Sequence, residues 1–194
     1  KIKFVLCRHE QAAAFMADVY GRLTGKSGIC LGTLGPGATN LVTGVADANM
    51  DRAPLICIIG QADTERLHKE SHQNMDAIGM FKPITKWAQS IRAADTIPEI
   101  VRKAFKVAET EKPGATHIDL PEDIAEEEVV AEPLLPQSPY PPEPLAAQID
   151  RAAKIISQAK SPIILAGNGV IRQGADEALT RFAERLNIPV AETF

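Results

Sequence analysis

Aromatic residues make up only 5% of this chain of 194 residues, and Trp87 is its single tryptophan. A core must therefore be filled by aliphatic side chains, and with hydrophobic residues at 45% a sizeable one is possible. At this length there is room for one domain, or one and a fraction. Charge of one sign is also scarce, since 21 Lys and Arg stand against 25 Asp and Glu for a net charge of -4. With its basic residues dispersed, the chain offers no obvious nucleic-acid-binding face. No apolar run approaches the roughly 20 residues that cross a bilayer, so no membrane association is expected. Cysteine is limited to Cys7, Cys30 and Cys57, each inside an apolar run. An odd number at such positions reads as reduced core thiols of a cytoplasmic protein. A nucleophilic cysteine wants a basic, partly exposed setting, and only Cys7, beside Arg8 and His9, has one.

What is present is an alternation of short apolar runs and amphipathic stretches. Ile2 to Cys7 is apolar and β-branched, so a buried strand is expected. A helix from about Gln11 to Leu23 follows, with Ala12, Phe15, Met16, Val19 and Leu23 on its expected inner face, and Gly25 stops it. Ser27 to Thr33 reads as a strand. Gly35-Pro36-Gly37 then opens a helix whose expected buried face is Leu41, Val42, Val45, Ala46 and Asn49. Pro54 to Ile59 is a third strand, ending at Gly60-Gln61. Ala62 to Asp76 is polar and lacks periodicity, and Thr85 to Ile91 reads as a strand. Thr96 and Pro98 start a helix with Ile97, Ile100, Val101, Ala104, Phe105 and Ala108 on one face. Pro113-Gly114 breaks it before the strand Ala115 to Leu120.

Such alternation predicts an α/β fold with a doubly wound, mostly parallel sheet. Residues 1–124 are expected to form the first domain, N-terminally incomplete. Residues 125–144 hold Glu126-Glu127-Glu128, Glu132, Pro133, Pro136, Pro139, Pro141, Pro142 and Pro144, a composition expected to form a stiff, extended linker. Residues 145–194 restart the pattern as the beginning of a second α/β domain. It should hold a helix from Leu145 to Ala159, a strand from Pro162 to Ala166 and the loop Gly167-Asn168-Gly169. A helix with Ala175, Leu179, Phe182, Ala183 and Leu186 inward and a strand from Ile188 to Ala191 complete it. Opening without Met directly on apolar sequence, the chain reads as a piece of a longer polypeptide.

In parallel sheets ligands sit beyond the carboxyl ends of strands. Glu10, Gly35 to Asn40 and Gln61 are expected there. A carboxylate closing an apolar strand is partly desolvated, which raises its pKa and lets it hand over a proton near neutrality. One in the first turn of a helix is instead stabilised by the macrodipole, which lowers the pKa. The residues alone favour the second description of Glu10. Gly35-Pro36-Gly37 either lets a flat ring or an anion approach the main chain or is simply a tight turn. It matches neither G-x-G-x-x-G nor a Walker loop, so neither a dinucleotide nor a nucleoside triphosphate is indicated. His68 and His72 have helical spacing, but the central Glu70 fits no zinc-helix pattern, and no metal site is expected. His72-Gln73 reads as a polar pair facing the cleft. Lys86, at a strand start, either binds an anion or is solvated. His117 reads as a satisfied structural histidine and Trp87 as core.

Two motifs together are far more specific than either alone. The run Arg8-His9-Glu10-Gln11 through Gly21-Arg22-Leu23-Thr24-Gly25, with Gly35-Pro36-Gly37-Ala38-Thr39-Asn40, resembles the pyrimidine-binding domain of thiamine-diphosphate enzymes. The resemblance is greatest to the acetolactate synthase branch and extends along essentially the whole chain. It implies that Glu10 hydrogen-bonds a ring nitrogen of the cofactor's aminopyrimidine, favouring the imino tautomer whose nitrogen removes the thiazolium proton. Pro36, Gly37 and Asn40 match the turn packed against that ring, while Gln61, His72, Gln73 and Lys86 fall on the substrate side. It implies decarboxylation of pyruvate and transfer of the hydroxyethyl group to a second 2-oxo acid, in branched-chain amino acid biosynthesis or a catabolic route. It also implies self-association, with the active site between subunits.

The departures matter. Leu34 replaces the usual serine of the T-S-G-P-G turn. Ala62-Asp63 and Ser71 to Asp76 look more like the catabolic synthases that lack FAD, so FAD is possible but disfavoured. In this family the diphosphate and Mg²⁺ are held by a G-D-G…N motif in a C-terminal domain. No G-D-G occurs here, so this stretch alone is expected to bind the cofactor poorly and to be inactive. Alternatives are another branch (glyoxylate carboligase, 2-oxo acid decarboxylase or oxidase) or a catalytically silent interaction module.

Overall fold

The computed structural model describes residues 2–137, 140 and 142–193. Pro139 and Pro141 of the expected linker lie outside the described residues. The chain divides into two compact units, Lys1–Tyr140 and Pro141–Phe194.

In the first unit, α1 (Glu10–Thr24) begins where His9, in extended conformation, accepts a hydrogen bond from the Gln11 N–H on its ring Nδ1. A side chain thus satisfies one of the free donors at the helix start. The helix ends at Gly25, left-handed at φ 67°, with its N–H on the Gly21 carbonyl. β1 (Gly28–Gly32) passes through the Gly-Pro-Gly turn into α2 (Pro36–Met50), where the fixed φ of Pro36 suits the first helical position. β2 (Leu55–Gln61), α3 (Ala77–Phe81), β3 (Trp87–Ser90), α4 (Ile97–Glu109), β4 (Ala115–Pro121) and α5 (Glu122–Glu126) follow.

The four strands are all parallel, in the order β1-β2-β4-β3. The sheet is covered on both faces, as parallel sheets require. On one side Leu55, Cys57 and Ile59 pack with Ala14, Ala17, Leu41, Val45 and Phe81 from α1, α2 and α3. On the other, Ile56 and Ile118 pack with Ala104, Ala108 and Ile124 from α4 and α5. The alternating directions of β2 side chains follow from the two-residue period of a strand. Trp87 is partly buried against the second cluster, with Lys103 Nζ 4.9 Å from its ring centre.

Several expectations need correction. Residues 2–7 form no strand: they pair with neither sheet edge, and Ile2 is 97% exposed. Cys7 is accordingly only half-buried, whereas Cys30 and Cys57 are core thiols. In α1 the buried face is Ala14, Ala17, Asp18 and Gly21, while Met16 is 53% and Leu23 81% exposed. The apolar stripe is real, but α2 and β1 approach the small-residue stripe, where backbones come closest. His117 is buried and stacked on Phe81 at 4.2 Å between ring centres, yet neither ring nitrogen makes a well-formed hydrogen bond. Burial holds it at about 4, against the Cys57 backbone, which favours the charged form. Residues 127–137, after α5, form neither helix nor strand, and Gln137 Oε1 accepts a 2.9 Å bond from Lys106 Nζ on α4.

The second unit holds α6 (Ala146–Gln158), β5 (Ile164–Ala166), α7 (Gly169–Arg172), α8 (Asp176–Leu186) and β6 (Val190–Glu192). β5 and β6 pair in parallel, Leu165 opposite Ala191. Ala183 is buried as expected on α8, but Phe182 and Leu186 stay exposed, because two short strands offer little surface to cover them.

Candidate active site

Because the strands are parallel, their carboxyl ends lie along one edge of the sheet. The Gly35 turn leaves β1 there, and α2 starts directly over it. Glu10, the first residue of α1, meets this turn: Asn40 Nδ2 donates a 3.0 Å hydrogen bond to Glu10 Oε2. A Cβ on Gly37 would lie 3.6 Å from Glu10 Oε1 and 2.7 Å from the Thr33 methyl, so that oxygen faces the Gly37 main chain beside Thr33. The Asn40 bond is the main reason the carboxyl sits below its ordinary range; its own backbone N–H and His9 add to this, and partial burial opposes it. Of the two descriptions open to Glu10, the charged helix-start carboxylate is therefore the one realised. The strand that was to desolvate it does not form.

The loop after β2 is drawn onto the same turn. Gln61 is 4% exposed, and its amide is committed at both ends: Nε2 donates to Met75 O at 3.1 Å and Oε1 accepts from Ala62 N–H at 2.9 Å. It ties the loop down. Asn74 Nδ2 gathers the carbonyls of Arg66, Leu67 and Lys69 at 3.0–3.2 Å. Between these anchors His72 and Gln73 both have positive φ, 27° and 61°, and Gln73 presses on Gly35. His72 and Gln73 are exposed. Gln73 thus reaches the turn at which Glu10 and Asn40 meet, with His72 next to it in the chain.

Other candidates lie elsewhere. Lys86 does not reach this edge. It precedes β3, at the amino end of the sheet, and its Nζ donates to the carbonyls of Val107 and Thr110 at 2.5 and 2.6 Å, closing the end of α4. Burial lowers its pKa. His68 and His72 share no helical face, since only a single 3₁₀ turn, Thr64–Arg66, forms in that segment. Sequence reasoning passed over Asp119 and Asn74. Asp119, 4% exposed, lies in β4 opposite Ser90, with Oδ1 unpartnered. Burial pushes it up to about 6, against the steadying influence of Ser90 and Gln61. It lines a cavity of about 460 Å³ with Gln61, Met75, Asp76 and Arg92. A carboxylate inside the expected strand Ala115 to Leu120 was the signal available for it.

Residues 1–80 match the model described as "Thiamine pyrophosphate enzyme, N-terminal TPP binding domain", and residues 149–194 match "Thiamine pyrophosphate enzyme, central domain". The chain belongs to the thiamine pyrophosphate (thiamine diphosphate) enzyme family. Glu10 and the Gly35 turn both lie inside the first match. Among curated relatives, a probable acetolactate synthase large subunit of Methanococcus aeolicus is 47% identical over 97% of this chain and 33% of its own length. The acetolactate synthase large subunit of Corynebacterium glutamicum is 41% identical over 100% of this chain and 32% of its own. A glyoxylate carboligase of Escherichia coli O157:H7 is 38% identical over 99% and 33%. The chain therefore spans about a third of the length of the curated relatives it matches. For a thiamine pyrophosphate enzyme the donor set fits the pyrimidine end of the cofactor: one oriented carboxylate beside a glycine turn. Among the described residues no group of three or more His, Cys, Asp or Glu side chains could hold a metal ion, and no helix is long and apolar enough to cross a membrane.

Proposed function

We propose that the intact protein is an acetolactate synthase-like enzyme. It would decarboxylate pyruvate and transfer the hydroxyethyl group to a second 2-oxo acid. The observation that carries this is the Asn40–Glu10 contact beside Gly37, in a chain of this family. Bound thiamine diphosphate supplies the nucleophilic carbon and the electron sink for decarboxylating a 2-oxo acid. Glu10 would hold a proton at one nitrogen of the pyrimidine, and Asn40, bonded to Oε2, would fix the carboxylate for that contact. Pro36 and Gly37 give the ring a flat backbone surface. Gln61 acts from a distance by tying down the loop, which sets His72 and Gln73 on the substrate side. Lys86, closing α4 at the other end of the sheet, has no place in this site.

Mg²⁺ and the diphosphate would be held by donors other than the residues described. Decarboxylation followed by carbon–carbon bond formation moves no net electrons, so the proposal needs no FAD. Self-association is part of it, supported by the exposed apolar stripe of α1, with Met16, Val19, Tyr20 and Leu23, and by the exposed Ile29 and Leu31 on the other face of the sheet. A reducing cytoplasm suits the three free thiols. The test is an assay with pyruvate as sole substrate, together with thiamine diphosphate and Mg²⁺. Acetolactate is the expected product. Release of acetaldehyde without acetolactate, or turnover only with glyoxylate, would overturn the assignment in favour of a decarboxylase or a glyoxylate carboligase.

A further inference from the structure

We propose that Arg22 is a positioning residue for Glu10, acting through the axial register of α1 against α2. The inference rests on the role assigned to Glu10 above. Both helices have 15 residues and run side by side in the same direction. Glu10 meets Asn40 at their amino ends, and Ala14 meets Gly44 one turn on, with the same offset of thirty positions. A Cβ on Gly44 would stand 2.5 Å from that of Ala14, so the helices touch almost backbone to backbone. Such a seam of small side chains sets the distance between helices but is smooth. Dispersion contacts between methyl groups resist sliding weakly.

What resists sliding sits at the other end. The Arg22 guanidinium holds Asp18 of its own helix through Nε at 2.9 and 3.0 Å. It reaches Asp47 on α2 through Nη2 at 2.9 Å and the helix-capping Asp51 through Nη1. Asp18 is 2% exposed. A planar fork engaging three carboxylates fixes direction as well as distance, which a single ammonium cannot do. One residue of slip along a helix is about 1.5 Å. A hydrogen bond of ordinary length tolerates only a few tenths of an ångström before it weakens. The bond from Asn40, which orients Glu10 and lowers its pKa, therefore depends on the clamp at the far ends of the same two helices.

The test must not strand the buried Asp18 charge. Asp47→Asn/Asp51→Asn, at side chains that are 45% and 52% exposed, cuts the clamp between helices and leaves the Arg22–Asp18 pair intact. In the intact protein the ¹³C-detected titration midpoint of Glu10 is expected to rise. Turnover with pyruvate should fall by roughly ten- to a hundredfold, as small misplacements of a reacting group do. Arg22→Lys should fall between the double variant and the parent. A lower melting temperature with the Glu10 midpoint and turnover both unchanged would overturn the proposal, leaving the clamp a purely structural one. Glu10→Gln is the reference. If it leaves turnover unchanged, the role of Glu10 fails, while the titration midpoint still tests the clamp.

Discussion

A Cβ on Gly35 would stand 2.6 Å from the Cβ of Gln73 and 2.9 Å from its carbonyl oxygen. Gly35 has φ 59°, and His72 and Gln73 are left-handed as well. Non-glycine residues in that region cost of order 1 kcal/mol or more each, and persist only where their surroundings hold them. Gln61 and Asn74 are those surroundings. Strain in the loop is thus opposed by hydrogen bonds that press it onto the turn beside Glu10.

Gly35→Ala should therefore be costly twice over, through its φ and through the collision with Gln73. A loss of roughly 2–4 kcal/mol in denaturant unfolding is expected. Thiamine diphosphate binding by the intact protein, followed calorimetrically, should weaken as the loop is displaced. Gly25→Ala is the control, since Gly25 shares a left-handed φ but has nothing within 4 Å of its Cβ position. It should lose only about 1–2 kcal/mol and leave cofactor affinity unchanged. Equal losses in the two variants would contradict the contact.

Stability against pH should show two opposed contributions from neighbouring β4 residues. His117 is held at about 4 in the fold against an ordinary 6.5. Above pH 6.5 both states are neutral; as pH falls towards 4 the unfolded chain alone takes up the proton, and stability is lost. Asp119 is held at about 6 against an ordinary 3.8. Between those values the fold binds the proton more tightly than the unfolded chain, so stability rises as pH falls through the same window. Compared with the parent, His117→Phe, which keeps a ring against Phe81, should shift the pH 6 to pH 4 slope towards gain of stability. Asp119→Asn should shift it towards loss. Unfolding by denaturant at a series of pH values measures both changes, and changes of the same sign would contradict the assignment.

Much of the architecture was legible, for physical reasons. The Gly25, Gly35-Pro36-Gly37 and Pro113-Gly114 breaks fall where chains must turn, and each bounds an observed element. The apolar run Leu55 to Ile59 is continuous because that strand is covered on both faces, whereas β4, just as buried, carries Thr116, His117 and Asp119. Periodicity identified α1 as a helix but not the side that packs, since close helix contact selects Ala14 and Gly44 over Met16 and Leu23. Nor could local pattern show that residues 2–7 lack a pairing partner. The Asn40–Glu10 bond joins residues thirty positions apart and became visible only with the register of two helices. Lys86 was misplaced because a strand start gives no hint of which end of the sheet holds the site.

Removal of the Glu10 carboxylate charge tests the central claim most directly. Glu10→Gln keeps the side chain's size and its place at the start of α1. With thiamine diphosphate, Mg²⁺ and saturating pyruvate, turnover by the intact protein is expected to fall by roughly 10²- to 10⁴-fold, as when a positioned acid–base group is removed. Turnover within about threefold of the parent, well outside that range, would contradict the assignment of Glu10 as the group that serves the cofactor ring.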